Sequence, residues 1–551
     1  MTTYVKTVPP EMKIKDAWEM MTDYGHTGFP VVNDGKVLGI ITRSDIDRAL
    51  RHNFTERKVE EFMSRTPIFV SPEENIENIK DLFIRYGIGR VLVMESGVLL
   101  GIITRTDLLQ AEKVDLFNKE KMGSFFVNKR MRDVLSSSVL ELLEKIGEIG
   151  ESLGFSVFIV GGIVRDILLG YKNLDIDIVV EGDGIELAKK IKKKFDVDIK
   201  IFPEFGTASL KFSDGVRYDI ATSRLEFYDY PGAPPKVEAS SIKKDLYRRD
   251  FTINALAIQI NPSQFGRLVD FFGGLSDLEH KLIRILHNLS FIEDPSRILR
   301  AVRFETRYDF RIEDKTLYFL NKAVSENYIE KIKAPKLREE FFYILEEENP
   351  LKPVVRLNEL HILERVFPGI VFDSSLQDAF AKIIAKKNLY KNVVKLPYVY
   401  FFIILKFVKN EKNLVYILNK FSMPNLYKEK IIEVLLLLDK IEKKIKDAKK
   451  KSEVYNILYK YPLEIVVFIS VFSFTKDVEK KIDEYIFKTR NTRPLFSGYD
   501  IMRLGLKEGK DVGYVLGRLR DLHIDEEIST KEDEERIARE IIRKIKERNN
   551  D

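Results

Sequence analysis

Residues 161–177 read GGIVRDILLGYKNLDID, and this stretch decides the fold of the central part of the chain. The largely apolar run 155–160 before it predicts a buried strand, and residues 163–169 predict a helix that begins directly after the two glycines. Paired glycines let backbone N–H groups turn toward an anion at a helix N-terminus, here beside Arg165. The stretch therefore predicts a phosphate-binding turn between a strand and a helix.

Two carboxylates, Asp175 and Asp177, lie two residues apart in the strand-like run 174–180. Strand alternation sends both carboxylates to one face and the two isoleucines beside them to the other. Two aspartates on a rigid strand suit a pair of Mg²⁺ ions about 3.5–4 Å apart, which activate an attacking hydroxyl and neutralise a leaving pyrophosphate. The alternative is a tight turn followed by an edge strand with solvated aspartates.

The combined string resembles the head-domain signature of class II tRNA nucleotidyltransferases and bacterial poly(A) polymerases, members of the polymerase β superfamily. The resemblance implies an α/β catalytic head, two Mg²⁺ ions held by Asp175 and Asp177, and ATP, with CTP as a possible second substrate. It also implies a third catalytic carboxylate from a neighbouring strand, and Asp219 in the run 216–221 is the candidate. An ion pair between Asp219 and Arg224 is the alternative for that residue.

Two further strings match motifs of the same family, RRDFTINALA at 248–257 and FIEDPSRILRAVRF at 291–304. The resemblance implies that the first reads the ribose hydroxyls and the triphosphate; the alternative is a surface salt-bridge cluster leading an apolar helix. The predicted nucleotide-binding residues of the chain are Gly161, Gly162, Arg165, Asp166, Arg249, Asp250, Asn254, Asp294, Arg297, Arg300 and Arg303.

The second string pairs Asp294 with Arg297 on a helix that is predicted to start at Pro295. The resemblance implies that this pair is an amino-acid template for the incoming base. An arginine can donate to the ring acceptors of cytosine or adenine, and an aspartate can accept from their exocyclic amine, whereas guanine and uracil present the opposite pattern. As a plain pattern, the pair is an ion-paired helix face.

The Pro- and Gly-containing segment 224–241 predicts a mobile loop. In the family that the chain resembles, enzymes that add A retain a flexible loop here, and enzymes that add only C have a shortened one. The loop therefore favours addition of A, either alone or as the last step of CCA.

The first 110 residues contain an internal repeat, with VNDGKVLGIITRSD at 32–45 and GVLLGIITRTD at 97–107. Each copy predicts a helix, a strand, a tight turn, a strand and a helix. The pair resembles a tandem CBS domain (cystathionine-β-synthase type), a family whose matching Thr and Asp often bind an adenine nucleotide. N-caps of the last helices are the alternative. The predicted CBS ligand residues are Thr42, Asp45, Thr104 and Asp107.

The same offset aligns Met63 of the second copy with Met1, so the first copy is already under way where the sequence starts. Long relatives of this architecture carry a DHH-type phosphoesterase domain upstream. We therefore expect a further domain before the first CBS repeat.

The amino-acid composition limits the kinds of site that the protein can contain and the cell compartment that it suits. The chain has 551 residues and no cysteine, which excludes disulfides and thiolate zinc sites and fits a reducing cytoplasm. No apolar run is long enough to span a bilayer, so we expect no membrane association. Segment 386–450 holds 16 lysines against 6 acidic residues in a chain of net charge +5. Such a local excess suits a polyanion such as tRNA, and a solvated helical face is the alternative.

The predicted fold class is α/β plus all-α: a tandem CBS module, a polymerase-β-type head and a helical C-terminal half. Segment 476–551, with its glycines at helix starts, resembles the RNA-binding tail of the family, and ordinary helix caps are the alternative. The predicted domains are a CBS pair at 1–112, a linker at 113–137, a catalytic head at 138–285, a base-recognition neck at 286–350, a basic tRNA-binding body at 351–475 and a tail at 476–551.

The predicted function is template-independent extension of the tRNA 3′ end with A, from ATP and possibly CTP, with release of pyrophosphate. A poly(A) polymerase shares every motif named and is the first alternative. An inactive RNA-binding regulator that senses adenine nucleotides through its CBS pair is an alternative of another class. The intact pair Asp175 and Asp177 argues against that regulator.

Overall fold

The structure is a computed structural model that describes residues 5–24, 26–86, 88–104, 126–172, 175–212, 216–227, 236–473 and 475–550. The chain forms two compact units, one through Lys333 and one from Ala334. The predicted neck therefore continues across the division between them.

The two CBS repeats begin the first unit, and they repeat in structure with the period of the sequence. The strands Gly28–Asn33 and Lys36–Thr42 form an antiparallel pair in the first repeat, and each recurs 62 residues later in the second. Even the irregularity in the strand register, between Val31 and Val32, recurs at the same offset. The helices and remaining strands of the repeats are Ile14–Asp23, Arg43–Arg51, Phe69–Val70, Ile76–Arg85, Arg90–Glu95 and Val98–Thr104.

The head is built on a seven-stranded mixed sheet. Asp175–Glu181 and Arg217–Thr222 run parallel at its centre, and all other neighbours in this sheet are antiparallel. This arrangement places the carboxylates of the two parallel strands side by side. Across the sheet the strands follow the order Arg267–Asp270, Leu256–Gln259, Ser156–Val160, Asp175–Glu181, Arg217–Thr222, Thr207–Lys211 and Asp198–Phe202.

Helices and short strand pairs complete the first unit. The strand pairs are Arg224–Phe227 with Lys236–Ala239, and Leu282–Ile283 with Arg311–Ile312. The helices are Asn128–Val134, Ser137–Ser152, Gly162–Leu169, Gly184–Lys194, Ile242–Tyr247, Gly274–Glu279, Ser290–Glu293, Arg297–Tyr308 and Asp314–Ser325.

Three local expectations differ from the structure. The segment 224–241 is not a loop throughout, because its two ends pair as antiparallel strands; residues 228–235 lie outside the described residues. The double arginine does not lead a helix, because the chain makes a short 3₁₀ turn and enters the strand Leu256–Gln259. The template helix begins at Arg297 and not at Pro295, because the Asp294 side chain caps a preceding turn by accepting from the backbone N–H of Ser296.

The second unit is helical, as the periodicity predicts, and its core is aromatic. Phe341, Phe367, Phe401 and Phe421 are fully buried, and their rings contact one another. The helices are Ala334–Leu345, Leu351–Glu359, Ile362–Val366, Ser374–Ala385, Lys387–Tyr390, Leu396–Lys406, Glu411–Lys420, Asn425–Asp447, Lys451–Leu458, Leu463–Val471, Lys476–Glu484, Gly498–Arg503, Lys510–Ile524 and Lys531–Asn550, with a π-turn at Tyr485–Thr489.

Two stretches of this unit bear on earlier expectations. The basic segment 386–450 is not one continuous helix, because the helix Asn425–Asp447 ends before the extended Ala448 and a second helix starts at Lys451. In the tail, Ser497 and Asp500 form a capping box at a helix start, so this glycine-containing turn has its cap satisfied within the protein.

The apolar helices of the second unit are short. None of the described helices alone is long and apolar enough to cross a membrane. The pair Lys451–Leu458 and Leu463–Val471 meets the requirement of length and composition only when taken together, and it bends by 114° at its break.

Candidate active site

The glycine turn joins a buried strand to a helix, as predicted. Gly161 caps the helix Gly162–Leu169 with φ of 76°, in the region that favours glycine. A Cβ at this position would lie 2.6 Å from Nη1 of Arg249 and 3.9 Å from a carboxylate oxygen of Asp177. The absence of a side chain therefore lets an arginine and a carboxylate approach the turn together.

The carboxylates alternate as the strand pattern predicts. Asp175 is exposed and Asp177 is half-buried, whereas Ile176 and Ile178 are buried in the sheet core. Burial raises the pKa of Asp177 to about 6; the neighbouring carboxylates of Asp175 and Asp219 also raise it, and Arg249 opposes the shift. Like charges are thus concentrated at this point of the sheet.

Asp219 lies directly beside Asp177 in the parallel register. Its ion pair is made with Arg217, at 2.9 Å, on the same strand. Arg224, the partner considered from the sequence, donates its backbone N–H to Asp245 and its guanidinium to the carbonyl of Phe205. The catalytic role of Asp219 stays a prediction, now with its arginine neighbour identified.

A cavity of about 390 Å³ opens beside these carboxylates. Asp177 and Asp219 line it together with four arginines, Arg217, Arg224, Arg248 and Arg249. The Nε atom of Arg249 is buried and has no hydrogen-bond acceptor within the described residues. The cavity therefore offers cationic donors for an anion next to acidic groups that suit a cation.

One residue that organises this cavity was missed from the sequence. Asp245 is fully buried and accepts from Arg248 at 2.7 Å and Arg249 at 3.2 Å. Burial opposes its ionisation, but the two guanidinium groups hold its pKa below the usual range. The signal that could have revealed it is the spacing of an aspartate three and four residues before a double arginine on one helical turn.

Five of the predicted nucleotide-binding residues form an internal network. Arg165 donates to Asp166 at 2.9 Å and to the amide oxygen of Asn254 at 2.6 Å. Asn254 in turn donates to Asp250 at 2.9 Å, and Arg300 closes the chain by donating to Asp250 at 2.6 Å. Burial opposes ionisation of Asp250, yet Arg300 and Asn254 hold its pKa far below the usual range.

The guanidinium of Arg165 is also stacked on aromatic rings. It lies 5.1 Å from the ring centre of Phe304 and 4.7 Å from that of Tyr308. Arg303 lies 4.8 Å from the Phe304 ring. The contacts of Arg165 bind the helix Arg297–Tyr308 to the helix that follows the glycine turn, whereas the Arg303 contact lies within one helix. A direct role for Arg165, Asp166 or Arg303 in nucleotide binding stays a prediction.

In the proposed base-reading pair, the Arg297 side chain is buried and the Asp294 side chain is a third exposed. Arg297 is only 4% exposed, and its Nε lies 3.9 Å from the Asp294 carboxylate. Its two terminal nitrogens donate to the hydroxyl of Ser290 and to the backbone carbonyl of Arg248, both at 2.7 Å. Arg297 is therefore fixed by two separate segments of the chain.

The CBS ligand residues fall into different surroundings. Thr42 and Asp45 form a capping box, with 2.6 Å between the hydroxyl and the carboxylate, as the structural alternative predicted. Both also line a cavity of about 690 Å³ between the two repeats and the head and neck. Thr104 ends the strand Val98–Thr104, and Asp107 lies outside the described residues.

No group of three or more His, Cys, Asp or Glu side chains is arranged to hold a metal ion in the part of the chain that the structure describes. The donor set at the sheet is nonetheless of the right chemical kind. Asp175, Asp177 and Asp219 supply hard oxygen ligands, the kind that a divalent cation such as Mg²⁺ prefers, and Asp219 lies directly beside Asp177.

Comparison with known families divides the chain into three matched regions. Residues 157–284 match the poly A polymerase head domain, residues 1–52 and 59–113 match the CBS domain, and residues 309–373 match the probable RNA and SrmB-binding site of polymerase A. These matches confirm the predicted fold class, with its CBS pair, nucleotidyltransferase head and helical remainder.

Individual relatives are similar over most of the chain. An A-adding tRNA nucleotidyltransferase of Geobacter sulfurreducens is 34% identical, over 98% of this chain and 64% of its own length. The chain therefore spans just under two thirds of this relative. The A-adding enzyme of Halalkalibacterium halodurans is 32% identical over 68% of this chain and 86% of its own length.

Solved structures agree with this relationship. A CCA-adding enzyme of Thermotoga maritima complexed with tRNA is 34% identical, with a TM-score of 0.58 over 76% of this chain and 99% of its own. A CCA-adding enzyme in complex with ATP is 36% identical, with a TM-score of 0.62 over 76% of this chain and 99% of its own. With its head, its glycine turn and its carboxylate strand in place, the chain belongs to the family of tRNA nucleotidyltransferases and poly(A) polymerases.

Proposed function

We propose that this protein extends the 3′ end of tRNA by transferring a nucleotide from ATP without a nucleic-acid template. The observation that carries the proposal is the juxtaposition of Asp177, Asp219 and Arg249 at the glycine turn. Acidic oxygens that suit a cation and guanidinium groups that suit a triphosphate meet there. The relatives that are named A-adding or CCA-adding enzymes support the same conclusion.

In the reaction, the 3′ oxygen of the tRNA forms a bond to the α-phosphorus of ATP, and the bond from that phosphorus to the bridging oxygen breaks to release pyrophosphate. Asp175 and Asp177 would hold the Mg²⁺ ions, which supply charge neutralisation and hydroxyl activation when bound. Arg249 lies at Gly161 and donates toward the phosphates, while Asp245 holds its guanidinium in that orientation. Arg217 keeps the Asp219 carboxylate in place beside Asp177.

Base selection is assigned to Asp294 and Arg297. Arg297 uses one N–H each for Ser290 and Arg248, which leaves further N–H groups of its guanidinium for a base acceptor. Asp294 uses one carboxylate oxygen for Ser296 and is a third exposed, so its second oxygen is available to an exocyclic amine. The pair would thus read the edge that adenine and cytosine share.

Addition of A, alone or as the end of CCA, is the product that we favour over a poly(A) tail. The segment 224–241 has the Pro and Gly content expected of the flexible loop, and the Geobacter and Halalkalibacterium relatives are named A-adding enzymes. The basic segment 386–450 supplies exposed lysines for the tRNA. A tRNA substrate and the lack of cysteine both fit a cytoplasmic location.

A second function, binding of an adenine nucleotide by the CBS pair, is favoured by the cavity next to Thr42 and Asp45. Tyr247 and Phe272 line it and could stack on a base, and Lys315, which also lines it, could face a phosphate. Burial lowers the pKa of the Lys315 ammonium, and the negative charge of a bound ligand would raise it again. Calorimetric titration with AMP, ADP and ATP, using Thr42→Val as the control variant, tests this site.

The main proposal is tested with three tRNA transcripts that end before CCA, after its first cytidine and after its second. Each labelled nucleotide is supplied singly, and the added length is read on a gel. We expect one A to be added to the transcript that ends in CC, and none with the double variant Asp175→Asn/Asp177→Asn. Long A tails on all three transcripts would establish the poly(A) alternative, and no addition to any would end the proposal.

A further inference from the structure

The segment that leads to Asp294 is anchored in the first CBS repeat. Leu289 is buried in the same hydrophobic cluster as Val59 and Phe62 of that repeat, and Ile292 packs against the cluster. Asn288 donates from its amide to the backbone carbonyls of Phe62 and Met63, at 2.6 Å and 2.7 Å. The neck residues before the base-reading pair are therefore part of the core of the first repeat.

One cation of this repeat connects two segments of the head and neck. Arg48, on the helix Arg43–Arg51, makes an ion pair with Glu293 at 2.8 Å and donates to the Tyr247 hydroxyl at 3.2 Å. Its guanidinium also lies 5.0 Å from the centre of the Tyr247 ring. The side chains of Arg48 and Glu293 are only 18% and 10% exposed, so water screens this pair weakly.

Those two interactions lie next to the two bonds that fix Arg297. Glu293 is the residue before Asp294, and Tyr247 is the residue before Arg248, whose carbonyl accepts from Arg297. The other acceptor for Arg297, the Ser290 hydroxyl, lies on the same short helix as Glu293. Arg48 thus joins the two segments whose separation determines where the Arg297 guanidinium sits.

We propose that Arg48 of the first CBS repeat is a positioning residue for base selection, because it ties Glu293 to Tyr247 and so fixes the Asp294–Arg297 pair. This inference rests on the base-reading role proposed for that pair. It gives the CBS repeat a role in nucleotide choice that needs no bound effector. Arg48 touches neither the carboxylate strand nor the glycine turn, so the chemistry of transfer is not its target.

The same interface contains ion pairs that lie away from the base-reading pair. Arg57 contacts Glu326 at 3.0 Å, and Lys322 contacts Glu61 at 2.7 Å. These pairs hold the repeat to the end of the helix Asp314–Ser325, which carries none of the proposed base-reading residues. Arg57 is therefore a matched control: its removal weakens the same interface without releasing Glu293 or Tyr247.

The experiment compares Arg48→Met, Arg48→Lys and Arg57→Met in the full chain. For each variant, kcat/KM is measured with ATP, CTP, GTP and UTP on one tRNA primer, together with Tm. We expect Arg48→Met to lose about three- to tenfold of the preference for ATP over GTP and UTP, the range of one buried interaction. Arg48→Lys keeps a positive charge beside the Glu293 carboxylate and should retain part of that preference. Arg57→Met should lower Tm and leave the preference unchanged.

The outcomes separate this role from a merely structural one. Equal losses of preference in Arg48→Met and Arg57→Met would overturn it, because general loosening of the interface would then suffice. An unchanged preference in Arg48→Met, with a lost preference in Arg297→Ala, overturns the positioning role alone. An unchanged preference in Arg297→Ala overturns the base-reading role and this inference with it. If Arg48→Met does not fold, Tyr247→Phe takes its place. This variant removes only the hydroxyl that accepts from Arg48, and we expect it to lower the preference for ATP about twofold.

Discussion

Two groups of carboxylates in the head face opposite electrostatic conditions. Asp177 lies beside like charges and has its pKa raised to about 6, whereas Asp250 is enclosed by Arg300 and Asn254 and has its pKa held far below the usual range. The carboxylate of Asp177 is therefore costly to ionise with its protein neighbours alone, because burial and the nearby carboxylates outweigh Arg249. The second group is balanced completely within the protein. Under the proposed mechanism, the group at Asp177 would bind a cation, whereas the group at Asp250 stabilises the surrounding structure through its own protein partners.

Removing the charge of Asp177 is the strongest test of this difference between the two groups. We expect Asp177→Asn to reduce nucleotide addition by several orders of magnitude with tRNA affinity nearly unchanged, because metal-held charge stabilisation contributes several kcal/mol to the transition state. Single-turnover rates and tRNA binding by fluorescence anisotropy measure the two effects. A variant that kept a tenth of the normal rate would contradict the assignment.

The same substitution should increase stability in the absence of metal. A raised folded-state pKa means that folding loses free energy as pH rises from about 4 to 6, since the unfolded carboxylate ionises first. Asp177→Asn removes this loss, so in EDTA it should be more stable than the parent by about 1–3 kcal/mol above pH 6 and equal to it near pH 3. Urea unfolding at both pH values checks the sign, and a difference that did not depend on pH would contradict it.

The balanced group should respond in the opposite way. Arg165→Met leaves Asp166 buried with less compensation and removes a donor to Asn254, so we expect a loss of about 3–5 kcal/mol in the free energy of unfolding. Lys189→Met on the neighbouring helix Gly184–Lys194 changes the same charge at an exposed position and should cost under about 0.5 kcal/mol. Equal stability of the two variants would show that the network is not a scaffold.

Much of this contrast could be predicted from the sequence, for a physical reason. The alternation of Asp175 and Asp177 with apolar residues is a local property of one strand, and the glycine turn is a local property of the backbone. Asp219 is predicted from the resemblance to the family, whose sites add a carboxylate from a neighbouring strand, and the parallel register places it opposite Asp177. Local rules therefore located only the alternation of Asp175 and Asp177 and the glycine turn.

The partners of the arginines could not be predicted in this way. Arg165 turns into the network with Asn254, 89 residues away, and Arg297 donates to a carbonyl 49 residues away. Such hydrogen bonds depend on how helices pack and not on any spacing in the sequence. The two CBS repeats show the same limit: they match in strand bounds, but position 48 is Arg, whereas its counterpart 110 is Gln. The sequence does not show why this difference matters; the structure does, because Arg48 of the first repeat contacts Glu293 and Tyr247.

A smaller effect is expected at the base-reading pair. Arg297→Ala should lose a factor of about ten to a hundred in preference for ATP over GTP and UTP, because an unpaired buried polar group costs about 1–3 kcal/mol. Asp294→Ala should act in the same direction, and the double variant should add little, since both serve one base. Arg249→Ala is the control and should weaken all four nucleotides alike. Steady-state kcat/KM for four nucleotides distinguishes these outcomes, and equal losses for all four in Arg297→Ala would contradict the template.

The smallest effect concerns exposed lysines of the second unit. Lys440, Lys443, Lys444 and Lys446 are exposed on the helix Asn425–Asp447. If this face binds tRNA, changing the four to Gln should raise the Kd for tRNA. The slope of log affinity against log salt should fall by roughly 0.7–0.9 for each tRNA phosphate that a lysine no longer neutralises. Binding of ATP should stay the same, because the carboxylate strand and the glycine turn belong to the first unit.

Four lysines of the head, Lys189, Lys190, Lys192 and Lys193, provide the matched control for this basic face. They are exposed on the helix Gly184–Lys194, and changing them to Gln alters the net charge of the chain by the same amount. A general effect of net charge on the encounter with a polyanion would therefore lower the salt slope in both variants, whereas direct neutralisation of phosphates by the second unit lowers it only in the first. An unchanged slope in the first variant, or the same fall in both, would leave the basic face an ordinary solvated surface.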